Sequence, residues 1–358
     1  MNPQNISDIV QKVFTGERLS CEDGMRLFIH HSLPELAFMA NHVRQRLNPG
    51  RVVSYVVGRN INYTNICWVR CKFCAFYRIP GSEEGYVLPT EEIMEKVRQM
   101  TDLGGIEILM QGGLNPRLKI EWYEDLFRTI KHEFGARGVI LHSLSPAEVI
   151  YIAKISRLSL EECLKRLAAA GLDSLPGGGA EILTDRVREA ISPYKDTAEE
   201  WLNCMRLAHH TGIRSTVTMM YGSVDTLEDR MDHLLKARAL QDETGGFTAF
   251  IPWSFQPVGT KLSGNAASAF DYLRTVAVSR LMLDNIAHIQ ASWVTQGPRI
   301  AQIALAYGLD DFGSTMMEEN VVSSAGCAFT MPINEIERLI TAAGYQPIRR
   351  TTAYKLLS

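Results

Sequence analysis

The chain has 358 residues, 46% of them hydrophobic and 22% charged, with a formal net charge of −3. That balance belongs to a folded globular chain and carries no basic patch of the kind that holds nucleic acid. No apolar run reaches the roughly 18 residues of a membrane span. The polar start MNPQNISDIVQKVFTGERLS mixes acids with bases, unlike a secretory leader, so no membrane is expected as a partner and a reducing cytoplasm is expected as the setting.

In chain order, residues 5–48 read as two or three helices, one of them starting at Ser20, which can cap, with Glu22 and Asp23 in the first turn. RVVSYVV at 51–57 is β-rich, and RNINYTN at 59–65 leads into a cysteine-bearing loop. An alternation follows. Helices expected at 90–103, 120–134, 146–155 with 159–170, 197–211, 226–241, 268–286 and 298–307 each precede a short apolar run. Those runs lie at 106–110, 139–142, 172–175, 213–219, 247–251, 288–291 and 309–312. With the strand before the cysteines, this makes eight βα-type repeats, which predicts an α/β fold of the (β/α)8 TIM-type barrel kind. A doubly wound sheet is the alternative, but it needs a glycine-rich turn after the first strand, where this chain has cysteines. The expected organisation is an N-terminal helical extension over 1–50, the barrel over 51–330 and a C-terminal helix and strand extension over 331–358 packed on the barrel.

Barrel active sites are built from loops at the carboxyl ends of the strands. Those ends carry the cysteine loop, QGG at 111–113, HSLS at 142–145, PGGGAE at 176–181, MYGS at 220–223, PWSFQP at 252–257, Trp293 and DFG at 311–313. Glycines serve ordinary turns as well, but three in a row cost much chain entropy.

The densest signal is NICWVRCKFCAFYR, where Cys67, Cys71 and Cys74 are spaced Cys-x3-Cys-x2-Cys. A cubane iron–sulfur cluster takes four ligands, so three thiolates on one loop leave one iron open. The alternative is a structural zinc site, which takes four protein ligands, usually as two pairs. Cys21, Cys163, Cys204 and Cys327 are isolated and form no second pair. An odd total of seven argues against a disulfide framework.

The cysteine spacing resembles that of the radical SAM superfamily, in which S-adenosylmethionine occupies the open iron. The resemblance implies a [4Fe-4S] cluster on Cys67, Cys71 and Cys74, and roles for the strand-end residues. Phe73 either lies over the adenine or serves as hydrophobic cover. Gln111, Gly112 and Gly113 stand where many members have Gly-Gly-Glu, so the methionine ammonium must rest on backbone carbonyls or the Gln111 amide. Ser143 can reach the methionine or ribose portion. Glu181 either accepts from ribose hydroxyls or supports a helix dipole. His142 is either a substrate contact or a structural histidine. Arg59, Asn62 and Tyr63 are candidates for the barrel mouth, with Arg59 and His142 the candidate catalytic residues. Trp253, Phe255 and Trp293 are either a wall for a ring substrate or core.

RNINYTNIC, CKFCAFYR, QGGLNP, LDSLPGGGAEILTDRVR, SPYK, TVTMMYGSV and LQDETGGFTAFIPWSFQP together resemble the cyclic dehypoxanthine futalosine synthases of menaquinone biosynthesis, over roughly 50–330. Aminofutalosine synthase and a subunit of FO synthase share the general plan, and a non-catalytic metal-binding module is the alternative of another class. The resemblance implies dehypoxanthine futalosine as substrate, cyclised after the 5′-deoxyadenosyl radical takes the ribose C4′ hydrogen. It also implies flavodoxin or ferredoxin as electron donor. A benzoate carboxylate calls for an arginine fork, for which Arg59 and Arg299 are the candidates.

Overall fold

The computed structural model describes residues 4–262, 264, 266–327 and 329–357, so residues 1–3 and 358 of the two expected extensions lie outside it. Helices Gln4–Thr15, Cys21–His30 and Leu33–Leu47 come first. Ser20 and Ser32 start the second and third through capping boxes with Asp23 and Glu35, each satisfying two backbone N–H groups the helix leaves free.

Among the described residues ten strands follow: β1 Val52–Val56, β2 Gly58–Ile61, β3 Glu107–Met110, β4 Ile140–Ser143, β5 Ser174–Leu175, β6 Arg214–Tyr221, β7 Phe247–Ser254, β8 His288–Ile289, β9 Asp311–Ser314 and β10 Gln346–Arg349. Strands β2 to β8 form one parallel sheet in which each strand lies beside its predecessor in sequence. The connections are the helices Thr90–Asp102, Ile120–Phe134, Pro146–Ser156 with Leu160–Ala170, Ala198–His210, Leu227–Thr244 and Ala269–Met282. A doubly wound sheet reverses its strand order at a switch point; this one does not, and curls as a barrel does. The helices fall within a few residues of the expected ones, and Asp185–Ile191 is an additional short one.

The strand count differs from eight in one sheet. The apolar run at 51–57 is not the first barrel strand. It breaks at Val57, and GRNI at 58–61 begins the seven-stranded sheet instead. The run expected as the eighth strand becomes β9, which pairs with β1, while β10 pairs with the other edge of β1. The barrel is therefore a seven-stranded partial one, with a three-stranded parallel sheet at its open side. Gly58 makes the break possible: a Cβ there would lie 2.8 Å from Ser314 Oγ and 2.9 Å from the Glu107 carbonyl oxygen. Thr315 then stitches the seam, its hydroxyl accepting from Gly58 N and donating to Gly58 O.

Helix Ile333–Ala342 and β10 come from the segment set apart as a C-terminal extension. After β10 the chain runs under the barrel, where Arg350 grips Asp311 with Nε at 2.5 Å and Nη2 at 2.9 Å. Arg44 and Arg280, both fully buried, donate to the carbonyls of Leu309 and Gly308, and so fasten the helices Leu33–Leu47 and Ala269–Met282 to the same region. No helix among the described residues is long and apolar enough to cross a membrane.

Candidate active site

Successive side chains of a strand point to opposite faces. In the curled sheet the inward set is Asn60 on β2, Glu107 and Leu109 on β3, His142 on β4, Thr216 and Thr218 on β6, and Ile251 and Trp253 on β7. These residues line a cavity of about 260 Å³ inside the barrel. A second cavity of about 220 Å³ lies at the carboxyl ends of the strands and is bordered by Cys67, Cys71 and Cys74 together. The two are contiguous, sharing Gln111, Gly178, Trp253 and Val321 as walls.

The cysteine loop is held from both sides. Thr64 Oγ1 donates to the Tyr86 carbonyl at 2.5 Å, and Asn65 exchanges hydrogen bonds with the backbone of Glu84 and Tyr86. Cys67 N donates to Arg78 O, and Lys72 N to Ile191 O. Arg70, between the first two cysteines, takes a left-handed φ of 59°. Burial pushes the Cys71 thiol up to about 12 and raises Cys74 too. Thiolates there therefore need a cationic partner, as iron would be. Among the described residues no three Cys, His, Asp or Glu side chains converge on the point of a single ion. The thiols border one cavity instead, which suits a cluster bound by one thiolate per iron.

Around that cavity lie expected residues and new ones. Phe73, Asn62, Gln111, Gly112, Gly113 and Glu181 all line it. Gly113 has no alternative, since a Cβ there would lie 2.3 Å from Ile66 O. Asn62 donates to Gln111 O at 3.1 Å, and its buried Oδ1 has no partner, which leaves an acceptor for a bound group. The PGGGAE loop is tied down by Arg188, whose Nη1 donates to the carbonyls of Gly179 and Ala180.

Sequence reasoning missed Lys195 and Glu148. Lys195 Nζ donates to Glu181 Oε1 at 2.5 Å and lies 5.7 Å from the centre of the Phe73 ring. Burial works against the ammonium, but Glu181, Cys71 and Asp196 more than offset it and hold Lys195 above its ordinary range. Glu148 accepts from Gly112 N at 2.9 Å and Tyr63 OH at 2.7 Å through Oε1, while Oε2 accepts from Ser145. A carboxylate thus backs the QGG segment from the next βα unit, and burial raises its pKa. The S-P-A-E capping box at 145–148 was its visible signal.

Several expected residues lie elsewhere. Arg59 is on the outward face of β2, paired with Glu318 at 2.8 Å, and lines neither cavity. Tyr63 is fully buried behind the loop against Tyr123 and Glu148. The inward positions are Asn60 and Asn62, because the break at Val57 sets which alternate residues face the cavity. Ser143 is buried with its hydroxyl unpaired and lines neither cavity. Arg299 is exposed on the helix Pro298–Ala304. Phe255 is core.

The barrel cavity takes Trp253 and Trp293 as aromatic walls, Trp293 fixed by its Nε1 donating to Ser314 O at 3.1 Å. His142 lines it with Nδ1 on Ser174 Oγ at 2.7 Å, and burial lowers its pKa to about 3. At the floor stand Glu107, Arg350, Thr352 and Tyr354. The Tyr354 hydroxyl and Asn60 Oδ1 are buried without partners, so a polar ligand is the complement of this end.

The radical SAM superfamily model matches residues 61–237, and the CofH/MqnC C-terminal region matches residues 244–358. Cyclic dehypoxanthine futalosine synthase of Halalkalibacterium halodurans is 48% identical over 354 residues, 99% of this chain and 95% of that protein. The protein of the same name from Streptomyces coelicolor is 43% identical, covering 99% of this chain and 89% of its own. The crystal structure of methylornithine synthase (PylB) superposes with a TM-score of 0.74 at 19% identity, over 95% of this chain and 97% of that one, which shows a shared fold. Superfamily membership implies an iron–sulfur cluster and S-adenosylmethionine, and the three free thiols bordering one cavity, Cys67 buried and Cys71 and Cys74 half-buried, fit such a group. With both family models matched in turn along the chain and near-complete coverage at 48% identity, the chain belongs to the cyclic dehypoxanthine futalosine synthase family of radical SAM proteins.

Proposed function

We propose that the chain cyclises dehypoxanthine futalosine, with a [4Fe-4S] cluster on Cys67, Cys71 and Cys74 and S-adenosylmethionine in the cysteine-bordered cavity. The observation that supports this reading is that this cavity adjoins the barrel interior, with Gln111, Gly178, Trp253 and Val321 as shared walls. Held there by Cys67, Cys71 and Cys74, the cluster with S-adenosylmethionine would supply the 5′-deoxyadenosyl radical chemistry that removes the ribose C4′ hydrogen and so permits ring closure onto the benzoate. The residues supply position and shielding. Phe73 and the PGGGAE loop hold the nucleoside, and Glu181 accepts from its ribose hydroxyls while Lys195 fixes the carboxylate. Gln111 and the Gly112–Gly113 backbone take the methionine end. Trp253 and Trp293 hold the substrate ring beside C4′, which gives the ring closure its effective molarity. The enclosed barrel keeps water and stray C–H bonds from the radical. A one-electron donor, flavodoxin or ferredoxin, completes the reading.

The test is anaerobic turnover of the reconstituted protein with dithionite, S-adenosylmethionine and dehypoxanthine futalosine, read by mass spectrometry. Cyclic dehypoxanthine futalosine together with 5′-deoxyadenosine and methionine is the expected result. Deoxyadenosine without the cyclic product would move the chain to a sister radical SAM activity. Iron content in Cys71→Ala should fall to background, and retained product formation in that variant would break the cluster assignment.

A further inference from the structure

Ring closure leaves a hydrogen on the aromatic carbon that has been attacked, and something must accept that proton. Four lining residues of the barrel cavity besides Arg350 are titratable: Glu107, His142, Glu319 and Tyr354. Three are unsuited. Glu319 spends both oxygens on the backbone amides of Val321, Val322 and Ser323, at 2.8–3.0 Å. His142 is a weak base, its pKa lowered to about 3. Tyr354 carries a phenol whose pKa burial raises further, so it holds its proton.

Glu107 is different. It is 6% exposed, and it points into the cavity two positions below Leu109 on the inward face of β3. Thr352 Oγ1 donates to its Oε2 at 2.8 Å, and Arg350 Nη1 stands 4.0 Å from the same oxygen. Among the described residues no hydrogen bond is made to Oε1. One oxygen is therefore anchored and the other is open to the cavity. Arg350 is pinned by Asp311, so it steadies the charge without closing on Glu107.

We propose that Glu107 is the catalytic base, taking the ring proton on Oε1. The assignment rests on the cyclisation proposed above. When the ring C–H bond breaks, its proton goes to Oε1 and its electron pair stays in the ring. The surplus electron leaves the ring for a one-electron acceptor, a role that the oxidised iron–sulfur cluster on Cys67, Cys71 and Cys74 would fill. Burial pushes the Glu107 carboxyl above its ordinary range, partly offset by Arg350 and Thr352. Its carboxylate is accordingly a stronger base than an exposed one.

The test compares wild type, Glu107→Gln and Glu107→Asp as reconstituted proteins. It measures cyclic product, 5′-deoxyadenosine and equilibrium binding of dehypoxanthine futalosine without reductant. Glu107→Gln should lose about a hundredfold or more in cyclic product, the span of general-base contributions. Deoxyadenosine formation and substrate affinity should stay within about threefold, and Glu107→Asp should recover part of the loss. The wild-type rate should rise with pH as Glu107 gives up its proton, and that limb should be absent in Glu107→Gln. The groups facing Glu107 are Arg350, Asp311, His142 and Tyr354, and His142 has already lost its proton by about pH 3. Cyclic product from Glu107→Gln within threefold of wild type would overturn the assignment. So would loss of substrate affinity or of deoxyadenosine, which would make Glu107 a binding or structural residue. A wild type that forms no cyclic product would instead strike at the proposed function.

Discussion

Gln111 and Gly178 meet across the barrel at the junction of the two cavities: a Cβ at position 178 would lie 2.6 Å from Gln111 Nε2. The contact is with the end of a flexible side chain, so Gly178→Ala should fold and displace the Gln111 amide. We expect a change in melting temperature of only a few degrees and a fall in cyclic product of about tenfold, near the ~1.4 kcal/mol that a factor of ten represents. At Gly177 a Cβ would meet the backbone of Val217 and Thr218 at 2.5–2.6 Å, and backbone cannot step aside. Gly177→Ala should therefore destabilise by about 1–3 kcal/mol or more in a urea titration. Equal stability of the two variants would contradict the packing described.

Lys195 and Glu181 form a buried pair with side-chain exposures of 9% and 5%. Lys195→Met leaves a carboxylate buried and uncompensated, which should cost about 3–5 kcal/mol by chemical denaturation. Adding Glu181→Gln should return most of that loss. A double variant as unstable as the single one would show that the pair is not coupled as the 2.5 Å contact implies.

Arg59 engages Glu318 and the Lys96 carbonyl on the outside of the sheet. Arg59→Ala should leave substrate affinity and cyclic product within about twofold and lower stability by about 1 kcal/mol, the upper end for partly exposed pairs. A large rise in KM would restore Arg59 to the substrate site and require a different course for β2.

His142, His209 and His233 are held by burial at about 3, 4 and 3, below the ordinary value of 6.5. The unfolded chain binds protons at these groups before the folded chain does. Each thus contributes stability that is full above about pH 6.5 and is lost as pH falls toward its folded value, by about 1.4 kcal/mol per pH unit per group. Unfolding free energy measured in urea should decline between pH 6.5 and 5, and His142→Gln should make that decline shallower. An unchanged slope in His142→Gln would mean that His142 is not held neutral by the fold.

The sequence alone determined what local chemistry controls. Helical and strand periodicity located the alternating elements, Ser20 marked a helix start, and the spacing of Cys67, Cys71 and Cys74 put three thiols on one loop. Within a strand or a short loop these preferences act over a few residues, so no distant partner is needed to read them. Tertiary structure decided the rest. The break at Val57 moved 52–56 into another sheet and set the facing of the strand after it, so that Asn60 and not Arg59 looks into the cavity. A one-residue shift in a strand exchanges its faces, and only the hydrogen-bonded partner strand fixes which face is inward. Lys195 joined Glu181, and Arg350 joined Asp311 beneath Glu107, through contacts that span 14 and 39 residues of chain. Such pairs follow from how elements pack against one another, which no single stretch of sequence records.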